Sequence, residues 1–202
     1  YQGSPRPRGD SLFSVDPMWY DELPAGGYRI AYGSDLAYTE STRADYSALL
    51  HGVLVPERGV FLTGIDRKQV QAPEFTALMK AATQRRRGPI LWYCSGTEKG
   101  VAQMVKRQVP LFRWRIVTAD KYARAIPCAE KWWLAGKWHL PSKPGKGGKL
   151  PRWVTDYVDE MMAFTGVGDL HDDQVDASAA LAWLAQVSSQ RPGEVNARIR
   201  SS

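Results

Sequence analysis

One stretch near the C-terminus sets the terms for the whole chain. From Asp172 to Val187 the sequence "DDQVDASAALAWLAQV" is apolar almost all round once its acidic start is passed. A helix with no polar face must be buried, and the partner that can bury it is a sheet. The same stretch opens with Asp172, Asp173 and Asp176, and His171 stands just before it. Asp172 and Asp176 are four residues apart and share one helix face. Acids at a helix start are ordinary caps and dipole partners. A single cap needs a single side chain, however, and like charges this close repel unless a cation relieves them. Both readings, cap and cation site, stand on these residues.

The rest of the chain supplies the sheet. Tyr28–Leu36, Tyr46–Val55 and Val60–Ile65 read as strands joined by polar turns, an antiparallel meander. A helix with Phe75, Leu78, Met79 and Ala82 at helical spacing follows and stops at Gly88 and Pro89. Ile90–Cys94 is a short buried strand, residues 98–108 a helix, and Phe112–Val117 a fifth strand. Strands separated by helices imply parallel pairing and crossovers. Further helices are expected over 121–135, 153–164 and 172–187, with a basic Gly/Pro loop "LPSKPGKGGKLPRW" between the first two. The expected fold is therefore α/β, an RNase H-like mixed sheet of about five main strands flanked by helices. Residues 1–24 read as an extended lead-in that packs by Phe13, Trp19 and Tyr20, residues 25–190 as the domain, and residues 191–202 as a flexible tail.

Composition excludes several classes. The chain has 202 residues, enough for one well-buried domain. No GxxxxGK[ST] motif is present, so no P-loop nucleotide site is expected. Cys94 and Cys128 lie in no CxxC or Cys/His cluster, which argues against zinc and suits a reducing compartment. No apolar run is long enough to span a membrane. Lys and Arg total 27 against 21 Asp and Glu, a net charge of +6 that favours a polyanionic partner. The chain does not begin with Met, and we read it as a fragment of something longer.

Three acids outside the last helix complete the candidate set. Asp35 closes the first strand in "RIAYGSDLAYT", where it either caps the turn or faces an open cleft. Glu98, after the fourth strand, is a candidate middle acid or a first-turn helix acid. Asp66, at the end of the third strand, is an alternative for the same role. Carboxylates with few His and no Cys suit Mg²⁺ or Mn²⁺, and His171 is placed either to ligate metal or to assist a proton transfer. Arg85, Arg86, Arg87, Lys99, Lys143, Lys146 and Lys149 are candidates for DNA-backbone contact. As a group they fit sequence-independent, salt-sensitive binding.

Five segments, in order, resemble the C-terminal nuclease domain of the large terminase subunit of tailed phages. They are "YQGSPRPRGDSLF", "GSDLAYTESTRADYSALL", "GVFLTGIDRKQVQAPEF", "DKYARAIPCAEKWWLAGKWHLP" and "HDDQVDASAALAWL", and together they span nearly the whole chain. The resemblance implies an RNase H-like domain that cuts concatemeric double-stranded DNA during packaging in the host cytoplasm. It implies two divalent ions and an ATPase domain ahead of residue 24, with portal and small terminase subunit as partners. It carries Asp35 over as the central metal ligand, with Asp172 or Asp173 as the ligand from the last helix. The family's middle acid ends the fourth strand, but Tyr93 and Cys94 stand there and Glu98 is the substitute. Competing expectations are another RNase H-like enzyme, such as a transposase, integrase or junction resolvase, and a non-catalytic DNA-docking module.

Overall fold

A computed structural model describes residues 10–37, 46–142, 148–169 and 171–189. The strands are β1 (Met18–Tyr20), β2 (Arg29–Asp35), β3 (Ser47–Val55), β4 (Gly59–Lys68), β5 (Ile90–Cys94), β6 (Phe112–Ile116) and β7 (Trp138–Pro141). The helices are α1 (Ala72–Arg85), α2 (Lys99–Gln108), α3 (Lys121–Cys128), α4 (Arg152–Ala163) and α5 (Asp173–Ser189). A 3₁₀ turn, Gly96–Glu98, leads into α2, and a π-helical turn, Ala129–Trp133, extends α3 beyond Pro127.

All seven strands form one sheet in the order β1-β7-β4-β3-β2-β5-β6. The expected meander is present, with β2, β3 and β4 paired antiparallel. β5 then lies parallel to β2, and β6 parallel to β5. The sheet exceeds the expected five strands because β7 pairs parallel with β4, and β1 pairs parallel with β7. The supposed lead-in therefore contributes an edge strand. Phe13 is fully buried against Trp133 and Phe164, and the Tyr20 hydroxyl donates to the Leu62 carbonyl at 2.6 Å. Trp19, expected to pack, is instead 41% exposed on that edge. Among the described residues no helix is long and apolar enough to cross a membrane.

Two cores separate the layers. On one face α3, α4 and α5 bury Ala31, Leu50, Leu62, Trp133, Tyr157 and Leu181. On the other, α1 and α2 bury Tyr32, Leu49, Phe75, Trp92 and Phe112. α5 is the all-apolar helix that the sequence required to be covered, and it lies against β2 and β3. Its closeness is set by glycine on one side and alanine on the other. A Cβ at Gly33 would lie 1.9 Å from the Ala177 carbonyl oxygen, and one at Gly52 would lie 2.8 Å from a Leu181 methyl. Only a strand without side chains there lets the helix backbone sit so near.

The face of each β4 residue is set by an irregularity. His51 pairs with Gly64 while Gly52 pairs with Leu62, so Thr63 is an extra residue on β4. A bulge inverts the alternation beyond it. Val60 and Leu62 face α5 before the bulge, and Ile65 and Arg67 face it afterwards. The result is a cationic side chain aimed at the start of α5.

Candidate functional site

The site forms where the C-terminal end of β2 meets the first turn of α5 and the first turn of α3. Alternation along β2 sends Ala31, Gly33 and Asp35 toward α5. Asp35 accepts from the Leu36 N–H at 3.1 Å and remains partly exposed at the strand end. Its carboxyl is held well above the usual carboxylate range, by burial first and then by the nearby charge of Asp176, with Asp173 and Asp172 adding. Lys121 opposes that rise. The strand-end acid and the acids of α5 thus act on one another electrostatically.

Within α5 the neighbouring acids have different fates. Asp173 is 6% exposed and is gripped by the Arg67 guanidinium through two bonds, Nε at 2.8 Å and Nη2 at 2.9 Å. The same guanidinium lies 3.2 Å from Glu160 of α4 and stacks over Tyr46, its carbon 4.3 Å from the ring centre. Glu160 in turn accepts from the Gln174 backbone N–H at 2.8 Å and its side-chain amide at 2.7 Å. Burial, with Asp173 beside it, raises the Glu160 carboxyl to about 7. This chain of fork-shaped contacts pins β4, α4 and α5 together.

Asp172 and Asp176 face the other way, toward α3. Lys121 Nζ lies 2.6 Å from Asp172 Oδ1 and 3.4 Å from Asp176 Oδ2, and Arg124 Nη2 donates to Asp176 Oδ2 at 3.1 Å. Asp120 starts α3 by accepting from the Ala123 N–H at 2.8 Å, which fixes the turn that carries Lys121. Burial raises the Asp176 carboxyl to about 6, against Arg124 and Lys121, which lower it. Burial alone would lower Lys121, but Asp176, the Asp172 hydrogen bond and Asp35 outweigh it and hold the ammonium charged. Asp176 is 4% exposed, and its Oδ1 has no hydrogen-bond partner. A buried carboxylate oxygen left bare is costly, and a water or a cation would satisfy it.

The remaining candidates stand elsewhere. Glu98 spends its carboxylate on its own helix, accepting from the Ser95 N–H in a reciprocal cap with Ser95. Asp66 lies on the opposite face of β4 from Arg67, paired with His51 at 2.8 Å; that hydrogen bond lowers its pKa. His171 is exposed and meets the Tyr46 ring edge-on at 5.9 Å. Arg85, Arg86 and Arg87 are exposed at the end of α1, just before β5 begins. Because β5 runs parallel to β2, that is the sheet end away from Asp35. Lys99 is exposed at the start of α2, beyond the C-terminal end of β5 and so at Asp35's end, and Lys149 is exposed ahead of α4. Lys143 and Lys146 lie outside the described residues.

Sequence reasoning passed over Lys121, Arg124 and Arg67. A signal for the first two was present, since Lys121 and Arg124 are three apart on one face of α3, as Asp172 and Asp176 are four apart on one face of α5.

The donors suit a hard divalent cation, being carboxylate oxygens without a soft ligand. Among the described residues no three of His, Cys, Asp or Glu form a ready cage. Mg²⁺ keeps most of its waters and binds through one or two carboxylates. The donors on hand for one such hydrated ion are Asp35 and Asp176 with its bare Oδ1. A second ion fits poorly, because β5 carries Tyr93, just past the Ser34–Trp92 pair, where an acid would be needed, and Glu98 is turned to its cap.

Sheet order and helix placement make the RNase H-like α/β fold expected from the sequence. Among solved structures, the chain is similar to the large terminase nuclease of thermophilic phage G20c. With the cobalt-bound structure the TM-score is 0.62 at 16% identity, covering 86% of this chain and 97% of that one. With the magnesium-bound structure it is 0.59 at 16% identity, over 86% and 97%. A third structure of that nuclease gives 0.60 at 17% identity, over 85% and 96%. The likeness is one of fold. No family model and no curated protein sequence matches the chain.

Proposed function

We propose that this chain is the nuclease domain of a large terminase subunit, a divalent-metal-dependent endonuclease that cuts concatemeric double-stranded phage DNA in the host cytoplasm. The observation that carries this reading is the bare, buried Asp176 Oδ1 in a cluster with Asp35 and Asp172, on a fold shared with a terminase nuclease. Cobalt, zinc and magnesium are each bound in structures of that nuclease. In this chain Asp35 and Asp176 would hold the ion, and Asp172 would flank it. When bound, the ion lowers the pKa of a water and offsets charge building on the phosphate.

The chain's own side chains do the rest. Asp35 presents its carboxylate from a rigid central strand, so the reacting end of the site cannot drift. Arg67 holds Asp173 and thereby fixes the rotation of α5, which aims Asp172 and Asp176 at α3 rather than at β4. Lys121, with its side chain 44% exposed, offers a positive charge that a phosphate can reach. Lys99 lies at the same sheet end and is proposed to touch the DNA backbone. In the full-length protein the ATPase domain, portal and small subunit would complete the motor.

A second reading has its own observation. Lys121 and Arg124 partly neutralise the α5 acids with no metal required, as a DNA-docking module without activity would need. Supercoiled plasmid separates the two. The nuclease reading expects nicked, then linear and degraded DNA with Mn²⁺ or Mg²⁺, and none with EDTA. Gel-shift binding with intact plasmid under both ions would establish the docking module.

A further inference from the structure

We infer that Lys121 supplies the second positive charge at the cleavage site, so that this nuclease works with one divalent ion and a protein-borne ammonium. The inference rests on the nuclease reading above. Two-ion phosphodiester cleavage needs carboxylates on both sides of a pair of cations roughly 4 Å apart. Here the side that β5 should supply carries Tyr93, the residue after Trp92, which pairs with Ser34 next to Asp35; a phenol there does not replace a carboxylate. The nearest acid in sequence, Glu98, is committed to its helix cap.

The charge absent from that side is present on α3. Lys121 Nζ sits within 3.4 Å of Asp176 and 2.6 Å of Asp172, and its charge acts on Asp35. It thus lies among the carboxylates that a second cation would require. Its side chain is 44% exposed, whereas that of Arg124 is 14% exposed. Both touch Asp176 Oδ2, but Arg124 is the more buried counter-charge and Lys121 the cation open to a phosphate. A mere surface ion pair explains this less well. Pairs so exposed contribute little stability, yet this one draws on an acid that retains a bare buried oxygen.

In the hydrolysis, a water oxygen bonds to phosphorus and the water gives up a proton. One phosphorus–oxygen ester bond breaks, and the departing oxygen takes up a proton. Lys121 touches the phosphate and offsets the charge that builds on its oxygens, without itself changing protonation.

Mn²⁺ titration by electron paramagnetic resonance, run beside plasmid cleavage on the purified chain, tests this. The wild type should bind one Mn²⁺, with cleavage rising non-cooperatively in Mn²⁺. Lys121→Met should bind Mn²⁺ at least as tightly, because a competing cation is gone, and should cut about 100-fold more slowly, the scale of losing one charge-stabilising donor. Lys121→Arg, which keeps the charge, should recover part of the rate. Two bound Mn²⁺ in an active wild type, or a wild-type rate in Lys121→Met, overturns the role of Lys121 and leaves the nuclease reading standing. A wild type that binds DNA and never cuts overturns both.

Discussion

Asp35→Asn is expected to slow Mn²⁺-dependent plasmid cleavage by about 1,000-fold or more while leaving the fold as stable as before, or more so. The rate loss is expected because Asp35 is the carboxylate on the rigid central strand, and a site that loses its principal charge loses at least what one fixed donor provides. The stability result follows from the same geometry. Burial and the nearby charges of Asp176, Asp173 and Asp172 all work against the charged form of Asp35. A neutral amide of the same shape relieves that repulsion, as is common where activity and stability oppose each other. Cleavage rates and thermal melts of the same preparations check it. A variant that loses activity and melting temperature together would place Asp35 among structural residues.

Arg67→Met carries the largest expected stability effect, a loss of about 3–5 kcal/mol at pH 8, since removing one partner leaves uncompensated buried charge. Asp173 and Glu160 are 6% and 9% exposed and share this guanidinium. The pH dependence should identify the cause. Glu160 already has its folded pKa raised from 4.5 to about 7. Such a group contributes stability that is full below its unfolded pKa and is lost as pH rises through the folded value. Removing Arg67 raises Glu160 further, so the deficit should be widest above pH 7 and shrink toward pH 5 as Glu160 takes up its proton. Urea unfolding at several pH values measures it. A deficit that is constant across that range would show the loss to be one of packing around Tyr46 instead.

Much of this arrangement could be read from the sequence, and the parts that could not have identifiable reasons. The meander, the parallel crossovers and the buried last helix all follow from local periodicity and are present as expected. β1 and β7 are three and four residues long and exist through pairing with each other and with β4, which no local pattern encodes. The shared face of Asp172 and Asp176 was legible from their spacing. The separation of Asp172 from Asp173 was not, because it depends on which α5 face meets Arg67. That depends on the extra residue at Thr63, which only strand pairing shows. Glu98 was a natural choice by position, but a capping interaction three residues back competes for the same carboxylate, and it takes it. The basic side of the site escaped notice because Lys121 and Arg124 lie far from the acids in sequence and meet them only across packed helices.

Everything rests on one cation being gripped by the end of β2 and the start of α5 together. A crystal soaked in Mn²⁺ and measured at the manganese absorption edge tests that directly. The expected result is an anomalous peak about 2.1–2.3 Å from a carboxylate oxygen of Asp35 and from Asp176 Oδ1, the range of hard-cation oxygen contacts. A peak that touches neither residue, or no peak at that end of the sheet in a protein that still cuts DNA, would contradict the account.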